Sequence, residues 1–386
     1  MTYDLQALRA TEFPWTQRGS DLYLNNASTG PVPVRSLRAM SSFNALRGEP
    51  FRITDQDEMD TVQRTRELAA ALINASPGEI ACMVNTTYGI NVAARCLPLR
   101  AGDVVVGYDR EFPANVYPWM ARERDGIRTL RIPPTPAGLP DEARLMDALD
   151  RPDVRVLALS WVQFASGYRS DLAALGRRCR ERGIWFVVDA IQGLGAATLD
   201  VKACNIDLLA CGGQKWWLSP WGSGFLYVRD ELTRALEPQA VGWMAMHASQ
   251  DFAHLTNYES RYLDDARRFE AITLPFQDFA GFNASLAMLH DLGPSHVERH
   301  VNDLVDIAVR WAAGRDDVRL ITPAAPAHRA GIVVLAPADV AAASARLTRA
   351  RIFHAVREGG IRLSPHGYDT ADEVRHALAV MVGEDD

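Results

Sequence analysis

Lys215 stands in the run CGGQKWWLSP, residues 211–220, behind two glycines and Gln214. Upstream, the apolar run at residues 184–188 ends at Asp189. A strand ending in a carboxylate, followed about 25 residues on by a lysine in a glycine-rich turn, is what pyridoxal phosphate chemistry needs. The amine holds the cofactor aldehyde as a Schiff base. The carboxylate keeps the pyridine nitrogen protonated, so that charge leaving Cα settles on a cation. Each residue has a commoner role alone: a strand-end aspartate usually caps a turn, and a lysine is usually a surface charge. Trp216 and Trp217 directly follow the lysine. Such bulk predicts partial desolvation, a lowered pKa and a more nucleophilic amine. Gln214 is placed to donate to a phosphate oxygen. Gln192, three residues after Asp189, could reach the cofactor's 3′-oxygen, although a turn glutamine is commonly just solvated.

Three further positions could complete such a site. Thr86 and Thr87 start a helical pattern after an apolar run. Two hydroxyls, free amides and the helix dipole would meet a phosphate there, and simple N-capping is the ordinary alternative. Phe112 follows another strand end and could stack on a pyridine ring or simply fill the core. Arg362 lies inside a short apolar strand, where burying its charge alone is costly. A substrate carboxylate gripped by both guanidinium arms would satisfy it, as would a structural salt bridge. Two patterns mislead. Gly193-Leu194-Gly195-Ala196-Ala197-Thr198 is like a dinucleotide fingerprint but has Thr198 at its sixth position and no acid at the right distance. His296-Val297-Glu298-Arg299-His300 has its glutamate in the wrong place for a zinc protease. No histidine or cysteine spacing suggests a metal, and none is expected.

The elements that must position these residues alternate. Strand-like runs at 80–84, 104–108, 154–160, 184–189, 208–211 and 224–228 are separated by helical patterns such as 89–96, 141–149 and 171–182. That alternation predicts an α/β fold class, a mainly parallel sheet with helices on both faces and ligands at the carboxyl ends of its strands. All the candidates above except Arg362 fall at such ends or in the turns that follow them. Residues 231–275 read as irregular and aromatic-rich, and 276–314 as helices. Short strands at 331–335 and 360–363, with helices at 340–350 and 370–382, predict a smaller α+β part. The expected division is a large cofactor-binding domain, 21–260, and a small domain built from 1–20 and 261–386.

With 386 residues, 48% of them hydrophobic and 23% charged, the chain reads as an ordinary globular protein. A net charge of −7 argues against nucleic acid as a main partner. No apolar stretch approaches the roughly 20 residues needed to span a bilayer. No basic stretch followed by an apolar one marks a signal peptide. The five cysteines form no CxxC pair and read as reduced thiols of a cytoplasmic protein.

An ordered set of motifs runs through nearly the whole chain. It comprises Leu24-Asn25-Asn26-Ala27-Ser28-Thr29-Gly30-Pro31, Asn85-Thr86-Thr87, Glu111-Phe112-Pro113-Ala114-Asn115 and Val188-Asp189-Ala190-Ile191-Gln192. It continues with Gly213-Gln214-Lys215 and Gly222-Ser223-Gly224, Phe269-Glu270-Ala271-Ile272-Thr273, and Arg362-Leu363-Ser364-Pro365-His366. In these the chain resembles the class V aminotransferase and cysteine desulfurase family of fold-type I pyridoxal phosphate enzymes. The resemblance implies a seven-stranded-type sheet flanked by helices and pyridoxal 5′-phosphate as cofactor. It also implies Lys215 as Schiff-base lysine and base, Asp189 at the ring nitrogen and Gln192 at the 3′-oxygen. Thr86, Thr87 and Gln214 would hold the phosphate. Thr273 would reach the phosphate of the neighbouring subunit, which implies a homodimer. Arg362 would clamp the substrate carboxylate, with Asn26, Ala27 and Ser28 lining the substrate side.

The departures narrow the reaction. Gln214 replaces the usual histidine, and Gly212 stands where many members carry a phosphate-binding serine. Phe112 replaces a stacking histidine, as in kynureninase and several lyase-like members, and Phe164 replaces a cofactor-contacting asparagine. No cysteine follows Cys211, whereas a persulfide-forming desulfurase needs a late thiol on a mobile loop. The expected activity is therefore C–S lyase-like β-elimination on an amino acid. Transamination or epimerisation are the alternatives, with kynureninase-like hydrolysis or a catalytically silent homologue further off.

Overall fold

The computed structural model of the chain describes residues 3–19 and 21–384. After β1 (Leu22–Tyr23), seven strands form one sheet: β2 (Ile80–Cys82), β3 (Val104–Tyr108), β4 (Arg128–Ile132), β5 (Val154–Ser160), β6 (Trp185–Asp189), β7 (Leu208–Gly212) and β8 (Gly224–Val228). Their order is β2-β8-β7-β6-β5-β3-β4. From β7 to β4 neighbours pair parallel. β8 runs antiparallel to both β7 and β2. Both faces are covered, so the central strands are apolar throughout: Phe186, Val187, Val188, Leu208, Leu209 and Leu226 are all buried. Because β3, β5, β6 and β7 point the same way, the loops after them gather at one end of the sheet.

Some element boundaries in the large sheet differ from the sequence patterns, and one of its strands, β4, has no counterpart among them. β2 stops at Cys82, because Asn85 turns the chain into the helix Thr86–Cys96 by accepting the Tyr88 amide at 2.8 Å. The helix therefore starts at Thr86, ahead of its apolar periodicity. β4 leaves no clear apolar run in the sequence because it is an edge strand, paired only with β3. It carries the exposed residues Arg128 and Arg131, one on each face, which breaks the apolar run.

The C-terminal part is a second, antiparallel sheet. Its strands are β9 (Val318–Leu320), β10 (Val333–Pro337), β12 (Ala355–Arg357) and β13 (Gly360–Leu363), in the order β12-β13-β10-β9. β11 (Ile352–Phe353) instead pairs parallel with β1. Helices Pro294–Ala313, Val340–Arg349 and Ala371–Val382 pack an apolar cluster around Leu335, Ile361, Leu347 and Leu378. Between the sheets, residues 234–275 contain only short 3₁₀ turns, matching the irregular texture of that stretch. The buried pair Arg66 and Glu270, 2.8 Å apart, ties it down, and Glu270 also accepts the Cys82 amide at 2.8 Å. No helix among the described residues is long and apolar enough to cross a membrane.

A strap joins the sheets. Asn25 bridges to Ser364. Asn26 is fully buried; its amide group donates to the Ser364 carbonyl at 2.8 Å and accepts from the Tyr368 hydroxyl at 2.9 Å. The Ala27 amide donates to the Ser364 hydroxyl at 3.0 Å. The strap then reaches the lysine loop, where the Gly30 amide donates to the Gln214 carbonyl at 2.8 Å. A Cβ at Gly30 would lie 2.1 Å from the Lys215 carbonyl oxygen, so only glycine permits this approach.

Candidate active site

The loop after β7 is fastened on every side of Lys215. The Gly213 amide donates to the Ser223 carbonyl at 2.8 Å, and the Ser219 amide to the Gly213 carbonyl at 3.0 Å. The Trp216 indole donates to Gln192 at 3.0 Å, while the Gln192 amide group donates to the Ala27 carbonyl at 2.9 Å. Trp216 stacks on His366, with centroids 5.6 Å apart. Both tryptophans are buried, but the aromatic ring that the Lys215 ammonium approaches is Phe112, 5.5 Å from Nζ to the centroid. The first expectation, desolvation of the lysine, holds; part of its cover comes from a ring on another loop.

Asp189 ends β6 at 2% exposure, with its carboxylate accepting the Ile191 amide at 3.0 Å. Burial pushes the carboxyl up to about 6, opposed by that amide and by Lys215. Burial pulls the Lys215 amine down to about 8; Asp189 opposes this, and Arg362 adds to it. The two groups are close enough to feel each other, and the amine is neutral in an appreciable fraction near neutral pH.

Arg362 is a buried cation with no carboxylate partner among the described residues. One arm donates to the Phe164 carbonyl at 2.9 Å and the other to the Ser28 hydroxyl at 2.7 Å. Its Nε is buried and makes no hydrogen bond. Burial holds the guanidinium down to about 10, with Arg357 adding to the effect. An unmatched buried charge costs stability, so this arrangement favours an anion arriving beside it.

The remaining residues named from the sequence differ in their settings. Thr86 is buried at the start of its helix and accepts the Gly212 amide at 2.9 Å, which ties the helix to the end of β7. Thr87, next to it, is exposed. Gln214 is partly exposed; its side-chain oxygen would lie 2.5 Å from a Cβ on Gly212, so a larger residue there would displace it. Ser28 also donates to Asn25 at 2.8 Å. Thr273 is exposed and accepts from the Trp243 indole at 3.4 Å.

Glu111, which in the sequence is only one member of a motif, organises the site's edge. Its buried carboxylate accepts the Ser160 amide at 2.9 Å, the Gln163 amide group at 2.7 Å and the Ser160 hydroxyl. Burial raises it to about 7. Ser160 lies in register with Asp189, and Phe112 and Phe164 meet edge to face at 5.3 Å. Glu111 thus fixes together the loops carrying both rings. The one available signal was a charged residue between a strand end and an aromatic.

The misleading motifs are packing devices. Gly193 abuts Trp161 and Gly195 abuts Trp216, where any Cβ would clash. Glu298 pairs with Arg169 at 3.3 Å and accepts from Thr198. No group of three or more potential metal-ligating His, Cys, Asp or Glu side chains occurs among the described residues.

His366 is buried and its tautomer is set. Nδ1 accepts the Gly367 amide at 2.6 Å, so Nε2–H donates to the Trp216 carbonyl at 2.9 Å. Burial lowers its pKa from 6.5 to about 4. The unfolded chain then binds the proton first, so stability is lost as pH falls from 6.5 toward 4. Relative to His366→Gln, the native protein should lose about 3 kcal/mol across that window. Urea unfolding of both proteins at several pH values measures it; parallel curves would refute it.

A buried carboxyl beside a near-neutral lysine, with a ring over the lysine, an unmatched arginine and a helix N-terminus tied to the lysine loop, suits a phosphorylated aldehyde cofactor and an amino acid. The Aminotransferase class-V family model matches residues 22–379. A probable cysteine desulfurase of Methanothermobacter thermautotrophicus is 31% identical, covering 72% of this chain and 69% of its own. The isopenicillin N epimerase of Streptomyces clavuligerus is 29% identical over 94% of this chain and 95% of its own. Among solved structures, a lysine-to-alanine mutant of C-DES with glycine covalently linked to its pyridoxal phosphate superposes with a TM-score of 0.87. It is 22% identical and covers 97% of this chain and 98% of its own. The seven-stranded sheet with its flanking helices is thus the fold-type I architecture. The chain belongs to the class V aminotransferase family of pyridoxal phosphate-dependent enzymes.

Proposed function

We propose that the protein is a homodimeric lyase that eliminates sulfur or another β-substituent from an amino acid without forming a persulfide on a cysteine. One observation carries the reading. β12 and β13 are joined by only Glu358 and Gly359, both at positive φ (45° and 79°). That is a tight two-residue turn, so the segment leading into Arg362 holds neither a long loop nor a cysteine. The five cysteines are unpaired; four are buried and Cys204 is partly so, and burial raises each thiol pKa. None is a ready nucleophile.

Pyridoxal phosphate, when bound, supplies an electron sink that stabilises negative charge at the substrate's Cα. The chain's residues do the rest. Lys215 would hold the cofactor aldehyde and, freed by substrate, take the proton from Cα; a pKa near 8 suits it to both tasks. Asp189 would keep a proton on the ring nitrogen, and Gln192 would contact the 3′-oxygen. Thr86, Thr87 and Gln214 would bind the phosphate, with Thr273 supplied from the neighbouring subunit. Phe112 would lie against the ring. Arg362, with Asn26, Ala27 and Ser28 behind it, would grip the α-carboxylate and so choose which bond at Cα stands perpendicular to the ring.

Epimerisation is the second reading, favoured by the near full-length similarity to an epimerase. A panel of L-amino acids in D₂O separates them. Release of ammonia and a 2-oxo acid, with sulfide from sulfur-bearing substrates, is expected. Stereoinversion with α-deuterium uptake and no release would overturn elimination, as would stoichiometric conversion of the cofactor to its amine form. The reading includes a large domain of residues 21–260, a small one of 1–20 with 261–386, and, from the unpaired cysteines, a reducing, cytoplasmic setting.

A further inference from the structure

Arg362 is not the only cation at this end of the small sheet. β12 and β13 pair Ala355 with Arg362 and Arg357 with Gly360. Residues opposite each other in an antiparallel pair point to one face, so Arg357 and Arg362 share a face as diagonal neighbours. Gly360, opposite Arg357, puts no side chain between them. Arg357 is exposed on an edge strand. Its one described hydrogen bond runs to the Val356 carbonyl at 2.8 Å, and no carboxylate pairs with it among the described residues. Glu358 follows at the turn but forms no ion pair either. Like charges at a diagonal repel, and the chain as a whole carries −7. Two unmatched arginines on one face of the small sheet, in an acidic protein, form a local cationic mouth. The charge of Arg357 acts in the same direction as burial on Arg362, whose guanidinium burial chiefly holds down, and more weakly on Lys215. The uncharged rings nearby are Phe164, partly open to solvent and joined to Arg362 through its carbonyl, and Phe112, exposed and packed edge to face against Phe164.

We propose that the substrate carries a second anionic group on its side chain, a carboxylate or an oxidised-sulfur acid, received by Arg357 while Arg362 takes the α-carboxylate. The inference rests on the reading of this site as a pyridoxal phosphate centre for amino acids. Arg357 is a specificity determinant: it distinguishes acidic from neutral side chains and touches none of the bonds at Cα. An exposed guanidinium still pairs well with an arriving anion, because a charge-assisted hydrogen bond outlasts screening at short range.

The test titrates the holoenzyme with L-aspartate, L-glutamate and L-cysteine sulfinate against L-asparagine, L-glutamine and L-alanine. The readouts are the change in the bound cofactor's visible spectrum and the rate of α-deuterium exchange. At least one acidic amino acid should half-saturate at about tenfold lower concentration than its neutral isostere. Arg357→Ala should bring the two within about twofold, leaving the neutral amino acid unchanged, and Arg357→Lys should restore part of the preference. Equal affinities for acids and isosteres in the native enzyme would overturn the proposal. So would a uniform loss for both classes in Arg357→Ala, which would mark the arginine as structural. If no amino acid of either kind perturbs the cofactor or exchanges its α-hydrogen, the underlying reading of the site fails, an outcome distinct from a lost preference.

Discussion

Replacing Lys215 with alanine should lower kcat by about 10⁴-fold or more, because in the proposed mechanism this one side chain is both covalent tether and base. Activity should not return with Lys215→Arg, whose guanidinium stays protonated and cannot form the imine. Intact mass adds a check that does not depend on turnover. Borohydride treatment should fix one cofactor to each native chain and none to the alanine variant. The lowered pKa gives the reaction a pH signature. Only the neutral amine attacks an aldehyde, so cofactor capture by cofactor-free protein should quicken as pH rises toward about 8 and level off above it. Full activity in the alanine variant would remove Lys215 from the mechanism.

Arg362→Ala should lower kcat/KM by about 10²-fold or more for amino acids while changing the rate with the corresponding decarboxylated amines less than about threefold. The asymmetry follows from the burial of Arg362. Its Nε has no partner and no carboxylate offsets its charge, so a substrate carboxylate gains a desolvated, directed contact that water does not compete for. Removing the arginine also removes an uncompensated buried charge. The variant's midpoint of urea unfolding, without substrate, should therefore fall by less than a usual buried large-to-small change of about 2–5 kcal/mol would cause. Equal kinetic losses for acids and amines would show that Arg362 only supports the strap.

Some of this site was legible in the residues and some was not, for physical reasons. Asp189 and Lys215 sit at strand ends or in tight turns, where local sequence dictates both the backbone and the side chain's direction. The parallel core was legible because doubly covered strands must be apolar throughout. β4 was not, since an edge strand tolerates Arg128 and Arg131. Glu111 was not, because its donors come from residues 160 and 163, far along the chain and unmarked by any spacing. The hold of Phe164 on Arg362 runs through a backbone carbonyl, which every residue possesses and no sequence advertises. Asn26 read as a residue beside the substrate; both polar ends of its side chain are engaged by Ser364 and Tyr368, a fact visible only once the two termini meet.

That meeting has a consequence for biogenesis. The bonds joining Asn26 to Ser364 and Arg362 to Ser28 span 338 and 334 residues. A nascent polypeptide emerging from the ribosome can pair much of its large sheet early, but it has no partner for the strap until Arg362 and Ser364 have been made. Closure over such separations is slow relative to local helix formation. A buttressed lysine turn thus waits on residues more than 330 positions away from the strap, and a chain terminated before Arg362 leaves that turn without it.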